Sequence, residues 1–239
     1  MLDLLYPPSC VLCRAPLGVL DDLDDTAPSL CPPCRTTLPG VGRPGCVVCG
    51  AGLPGAYDAV VTCAACRRFP PAFTAARAPW RYAGAAEALI RQFKYHRHWR
   101  LGCWMAREMT ACALATLPSD RCDAVLPVPP YWFKRHLQGA SPSGALAAEV
   151  SRRLDRPSLR HALTRRRWTR TQTQLSWAAR QRNVRDAFWS DARQVRGQTL
   201  LLVDDVLTSG ATASACARSL REAGAHAVYV LTAARTPLA

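Results

Sequence analysis

Two hydrophobic textures divide the chain. Residues 1–72 hold eleven prolines, from Pro7 to Pro71, and several glycines, so no apolar period lasts long enough for a sustained helix. A stretch this broken buries little core of its own and needs a staple to fold. From Phe73 onward the pattern becomes periodic. Ala78–Ala83 reads as a short strand, and Ala85–Lys94 as a helix with Leu89, Ile90 and Phe93 at helical spacing. Trp104–Leu117 reads as a second helix stopped before Pro118, Asp123–Val128 as a strand entering the Pro129-Pro130 turn, and Ser143–Leu154 as a third helix. Gln198–Val203 is a nearly continuous apolar run, as expected of a strand buried on both faces. Thr212–Ala223 reads as a helix capped by Gly224, and Ala227–Thr232 as one more strand. Strands alternating with helices indicate an α/β fold with a parallel sheet, and Trp80, Tyr82 and Trp104 are assigned to its core. The expected division is 1–72 as a cysteine-rich module and 73–239 as the α/β domain.

Composition adds a bias of charge. The 239 residues include 31 basic and 17 acidic side chains, a net charge of +14, with 49% hydrophobic and 20% charged residues. Wholesale disorder is excluded by that balance. The opening MLDLLYPPSC lacks the basic start and apolar stretch of a secretory signal, and no run of about 18 apolar residues occurs. The expectation is a cytoplasmic protein without membrane insertion.

Eight of the twelve cysteines form Cys-x-x-Cys pairs: Cys10/Cys13, Cys31/Cys34, Cys46/Cys49 and Cys63/Cys66. Chance placement gives about 0.6 such pairs in the whole chain, so the pattern is a signal. In a reducing compartment closely spaced thiols hold metal more often than they form disulfides. Two knuckles supply the four thiolates of a tetrahedral zinc, and a filled thiolate set leaves no open position for water, which makes the zinc structural. The first knuckle pairs with the second and the third with the fourth, or the first with the third and the second with the fourth; spacing alone permits both.

Leu200–Thr212, LLLVDDVLTSGAT, is the most informative segment. A buried strand ends in two acids, a loop of small and hydroxylated residues follows, and a helix begins. Thr208, Ser209, Gly210, Ala211 and Thr212 therefore lie at a helix amino terminus, where amide groups and the helix dipole favour a phosphate. Asp204 and Asp205, at the carboxyl end of the strand, are placed to accept hydrogen bonds from the vicinal hydroxyls of a ribose. The segment contains neither a Gly-Lys-Ser/Thr ending nor Gly-x-Gly-x-x-Gly, which argues against a P-loop or a dinucleotide fold.

This strand, acid pair and loop resemble the motif of the type I phosphoribosyltransferases, with Ser209 in place of the commoner threonine. LLYPPSCVLC, the four cysteine pairs, FTAARAPWRYAGAAEALIRQFKYHRHWRLG, LPVP, TQTQLSWAARQRNVRDAF and VLTSGAT occur in the order found in the ComF family of competence-associated proteins. The resemblance implies a type I phosphoribosyltransferase-like domain preceded by a small zinc-ribbon-like module. It also implies a glycosyltransferase-class activity, magnesium-bound phosphoribosyl pyrophosphate as ligand, and a role in DNA uptake with single-stranded DNA and competence helicase-type proteins as partners. Asp204 and Asp205 would hold the ribose, residues 208–212 the 5′-phosphate, and Lys94 with Arg165 or Arg167 the leaving pyrophosphate. Lys134, Arg135 and Gly139 stand in the expected pyrophosphate loop, where Gln138 replaces an arginine of the family pattern. A neutral amide does not bind pyrophosphate as a bidentate guanidinium does.

Seven arginines fall between positions 165 and 185. Arg165, Arg166 and Arg167 beside Trp168 interleave cations with an aromatic ring, the combination that suits a single nucleic-acid strand. The alternative function is therefore that of a non-catalytic single-stranded DNA-binding uptake factor built on the same fold.

Overall fold

The computed structural model describes residues 9–17, 30–42, 44–55, 60–96, 99–130, 141–166 and 187–238. Two five-residue helices, α1 (Pro32–Thr36) and α2 (Ala64–Arg68), lie in the cysteine-rich part. The α/β part follows as β1 (Ala75–Arg77), β2 (Trp80–Arg81), α3 (Gly84–His96), α4 (Trp99–Thr116), β3 (Ala124–Pro127) and α5 (Pro142–Leu154). It continues through β4 (Leu163–Arg165), β5 (Phe188–Ser190), α6 (Ala192–Val195), β6 (Thr199–Leu207), α7 (Ala211–Glu222) and β7 (Ala227–Arg235).

The main sheet is parallel, in the order β1, β7, β6, β3, and β2 continues along β7 beyond the end of β1. The alternating pleat of β6 closes both layers. Leu200 and Leu202 pack with Cys216, Ala217 and Leu220 of α7. Leu201 and Val203 face the other way, among Met105 and Met109 of α4 and Leu146 and Val150 of α5. All four β6 side chains are fully buried, each contributing roughly 1.5–3 kcal/mol relative to exposure. Trp80 and Trp104 stack inside the second layer, with ring centroids 5.3 Å apart and planes 13° from parallel.

Several elements differ from the sequence expectation for definable reasons. The strand expected at 78–83 is shortened to Trp80–Arg81 and preceded by the separate β1, because Pro79 donates no hydrogen bond to the ladder. Strand β6 continues past its two acids to Leu207, since β7 offers partners along its whole length, pairing Asp204 with Thr232 and Leu207 with Arg235. Helix α4 begins five residues earlier than expected, at Trp99. Helix α5 begins at Pro142, and its cap is Ser141, whose Oγ accepts from the Gly144 amide at 3.0 Å. The antiparallel ladder of β4 with β5 joins Leu163–Arg165 to Phe188–Ser190 and had no counterpart in the periodicity. No helix among the described residues is long and apolar enough to cross a membrane.

Because successive β6 residues seal opposite layers, Leu201→Ala and Leu202→Ala should each destabilise the protein by about 2–5 kcal/mol. Urea unfolding would register this as a lower midpoint at unchanged slope. A loss under about 1 kcal/mol at either position would mean that the corresponding layer is not closed over the strand.

Candidate functional site

Buried apolar residues carry β6 to Val203, and the strand then presents Asp204 and Asp205, both half-buried, at the carboxyl end of the sheet. Lys94, in the last turn of α3, reaches across, and its Nζ lies 3.0 Å from Asp205 Oδ1. Burial works against the lysine charge, but the carboxylate outweighs it and leaves Lys94 above its ordinary pKa. The Asp205 amide donates to Asp204 Oδ1 at 2.9 Å. Burial first, and the adjacent Asp205 charge second, push the Asp204 carboxyl up to about 8, with that amide and Lys94 offsetting part of the rise. One acid thus pairs with an ammonium, while its neighbour Asp204 retains a proton near neutrality. Two adjacent carboxyl groups of this kind can accept hydrogen bonds from vicinal hydroxyls.

The loop that follows turns on Gly210, whose φ of 76° and ψ of 0° belong to the left-handed region that glycine enters without strain. Beneath it lies the Phe73 ring. Ser209 Oγ accepts weakly from the Ala211 amide at 3.4 Å, and the Ser214 amide donates to the Gly210 carbonyl at 2.8 Å to begin α7. Ser214 Oγ accepts from the Ala72 amide at 3.0 Å, tying the first turn of α7 to the segment entering β1. Thr208 is exposed, and Ser209 and Thr212 are half-buried. Lys94, Asp204, Asp205 and the 208–212 loop therefore gather at the carboxyl end of the sheet, next to a helix amino terminus.

The remaining expected site residues stand on a second ladder or lie outside the described residues. Arg165 ends β4 with its guanidinium 5.4 Å from the Phe188 ring centroid, and Arg166 follows it, 4.3 Å from the Trp189 ring centroid. Arg165 belongs to the two-stranded β4/β5 ladder and Arg166 directly follows it, its amide donating to the Ala187 carbonyl at 2.8 Å. Lys134, Arg135, Gln138, Gly139, Arg167 and Trp168 lie outside the described residues.

The cysteines gather into two sets, Cys10/Cys13/Cys31/Cys34 and Cys46/Cys49/Cys63/Cys66, with the sulfurs of each set within 4.8 Å of one another. Knuckles consecutive in sequence therefore pair, which removes the interleaved alternative. Tetrahedral zinc with sulfurs at about 2.3 Å sets neighbouring sulfurs about 3.8 Å apart. The Cys13–Cys31 and Cys49–Cys63 sulfur distances are 3.6 and 3.8 Å, so both sets fit the metal. In the second centre the Cys49 and Cys63 amides point at Cys46 Sγ and the Cys66 amide at Cys63 Sγ, at 3.3–3.5 Å. A hydrogen bond from Cys66, working against burial and helped by the Arg235 charge, lowers Cys49 to about 4 and favours its thiolate. The centres differ in access: Cys13 is exposed, whereas Cys46, Cys49, Cys63 and Cys66 are all buried.

Sequence reasoning missed Arg235, Arg77 and Trp189. The first is 6% exposed at the end of β7, within hydrogen-bonding reach of both the second centre and the 208 loop. Its one sequence signal is a charged residue closing an apolar strand.

Residues 1–68 match the double zinc ribbon domain, and residues 140–237 match the phosphoribosyl transferase domain. DNA utilization protein YhgH of Escherichia coli K12 is 31% identical over 252 residues, covering 98% of this chain and 99% of its own. Competence protein F of Haemophilus influenzae is 28% identical over 231 residues, covering 95% of this chain and 96% of its own. A glutamine phosphoribosylpyrophosphate amidotransferase from B. subtilis, solved with ADP and GMP, aligns with 54% of this chain and 25% of that longer chain, at TM-score 0.37 and 26% identity. With close to a third of its residues shared with YhgH from one end to the other, and with two four-cysteine ribbons ahead of a phosphoribosyltransferase-type domain, the chain belongs to the ComF family.

Proposed function

We propose that this protein binds magnesium-bound phosphoribosyl pyrophosphate at the carboxyl end of β6 and serves DNA utilization of the competence type. Residues 1–72 act as the metal-stapled module and residues 73–239 as the ligand-binding domain. The observation that carries the reading is the contact of Lys94 with Asp205, which sets a cation and two carboxyl groups beside the hydroxyl-rich start of α7. In this reading Asp204 and Asp205 accept from the ribose hydroxyls, residues 208–212 bind the 5′-phosphate, and Lys94 faces the pyrophosphate. Lys134, Arg135, Gly139, Arg165 and Arg167 complete the leaving-group side. A clamp of this form serves displacement of pyrophosphate from ribose C1 by a nucleophile. Gln138 removes one bidentate donor from that side, so ligand binding is the primary activity proposed and transfer the secondary one.

A second reading draws on a different observation. The exposed Arg166 lies over the Trp189 ring, and Trp189 is itself 40% exposed. A cation beside an accessible ring suits a single nucleic-acid strand, in keeping with relatives named for DNA utilization and competence.

Titration calorimetry with magnesium phosphoribosyl pyrophosphate tests the first reading. The wild type should saturate; Asp205→Asn, which removes the carboxyl paired with Lys94, should weaken binding about 10- to 100-fold, and Asp204→Asn, which replaces a carboxyl that keeps its proton, about 2- to 10-fold. Absence of binding to the wild type at millimolar ligand would refute it.

The raised Asp204 pKa gives a second check. Its folded value of about 8 exceeds its ordinary value of 3.8, so between those limits the folded state holds a proton that the unfolded chain has released. Stability therefore falls as pH rises through that window. Asp204→Asn should melt at least about 3 °C above wild type at pH 8 and coincide with it near pH 4. Equal differences at both values would show an ordinary carboxylate.

For the second reading, single-strand affinity should decline with salt, and Arg166→Ala should flatten that dependence by about one phosphate contact. An unaltered slope in Arg166→Ala, with unaltered affinity in Trp189→Ala, would remove this pair from nucleic-acid binding.

A further inference from the structure

Arg235 has surroundings that the acid pair and loop at the strand end do not explain. It closes β7 opposite Leu207 and is 6% exposed. On one side its Nη1 donates to the Leu207 carbonyl at 3.1 Å and the Thr208 carbonyl at 2.5 Å, and to the carbonyl and hydroxyl of Thr236 at 2.8 and 3.0 Å. On the other side Nε donates to the Cys49 carbonyl at 3.2 Å, and Nη2 lies 3.7 Å from Cys49 Sγ. Among the described residues its acceptors are four carbonyls, one hydroxyl and one sulfur, with no carboxylate. A guanidinium withdrawn from water needs a counter-charge close by. Four thiolates around one zinc leave a net charge of about −2, and this set is the anion that Arg235 faces.

The second ribbon is also seated directly on the sheet. The Ala76 amide donates to the Val48 carbonyl at 2.7 Å, and Arg77 Nη1 donates to the Val47 carbonyl at 3.0 Å. A methyl group on Gly50, where φ is +69°, would come within 2.5 Å of the Ala76 oxygen, so the knuckle approaches β1 as closely as a bare backbone allows. Strand β1 is the neighbour of β7. The ribbon is thus fixed to two adjacent strands, and from the second of these one side chain extends to the start of the phosphate loop.

We propose that Arg235 is a positioning residue through which the second metal centre supports the 208–212 loop. Metal at Cys46, Cys49, Cys63 and Cys66 concentrates the thiolate charge and fixes the Cys49 carbonyl. These hold the guanidinium, and the guanidinium holds the Leu207 and Thr208 carbonyls from which the loop departs. Loop order therefore follows occupancy of the second centre and is independent of the first, whose cysteines Cys10 and Cys31 pack into the α3 and α4 layer instead. That the loop binds a phosphate rests on the function proposed above; the link between metal and loop does not.

Hydrogen exchange on the full chain, prepared with zinc, tests the link without a ligand. Peptides spanning 206–213 should exchange at least about tenfold faster in Cys63→Ser than in wild type and remain unchanged in Cys13→Ser. Arg235→Lys retains zinc and the positive charge, but its single ammonium does not span both sets of acceptors, so it should show the same local acceleration. Residues 199–203 should stay protected in all variants. Acceleration equal in Cys13→Ser and Cys63→Ser, no acceleration in Cys63→Ser or Arg235→Lys, or acceleration that spreads into 199–203 would each overturn the proposal. In wild type, magnesium phosphoribosyl pyrophosphate should slow zinc loss from the second centre to a chelator, because coupling between two binding events is reciprocal. Failure of that ligand to bind would refute the function proposed above, and the exchange rates would still decide the coupling.

Discussion

From Leu200 to Val203, β6 has no solvent on either face, and the two residues after it are carboxylic acids. This change of polarity within one strand organises the molecule. Four apolar side chains pointing alternately up and down require a layer on each side, supplied by α7 on one face and by α4 with α5 on the other. Acids at that depth are sustainable where the sheet opens at its carboxyl end and a cation arrives, and the cation arrives on α3. Acid pair and core are therefore consequences of the same strand: the packing that stabilises β6 places Asp204 and Asp205 at its end.

The cysteine-rich part solves a different problem. It has too little apolar surface to close a core unaided, so two four-sulfur centres replace one. The centres are unequal in their dependence on the rest of the chain. Cys10, Leu30 and Cys31 merge into the cluster containing Trp80 and Ile90, which makes the first ribbon an extension of the helical layer. Cys46, Cys49, Cys63 and Cys66 form a small cluster of their own and attach to the sheet through backbone hydrogen bonds and arginines. Apolar packing seats the first on the helical layer, and polar directionality orients the second.

The elements legible in the sequence were those specified locally. The run from Leu200 to Val203, the loop of hydroxylated residues and Gly224 place β6 and α7 to within a few residues, because burial on both faces, a left-handed glycine and helix capping are each encoded by neighbours. Elements defined by distant partners were not legible. Ala75–Arg77 is strand because β7 lies beside it; two alanines and an arginine carry no strand signal alone. Leu163–Arg165 pairs with Phe188–Ser190 across more than twenty intervening residues. Knuckle pairing was undecided for the same reason, since the spacings satisfy zinc either way. At the site, the two acids and the loop were readable as chemistry, and the contact of Lys94 with Asp205 is the geometry that joins them. Arg235 carried no comparable sign, because the cysteine it meets lies 186 positions away.

That separation has a consequence for how the protein is made. Strand β7 lies between β1 and β6, yet every other strand leaves the ribosome before it. Until it emerges, β1 and β6 have no common partner, and the second ribbon has nothing to receive its Cys49 carbonyl. The early ribbons can acquire zinc as soon as their knuckles are exposed, since each set is complete within a short stretch of chain. Completion of the sheet, by contrast, is a late, long-range event of the kind that folds slowly and leaves strand edges unpaired in the interval. The metal-bound segment waits as a finished part for the strand that will seat it.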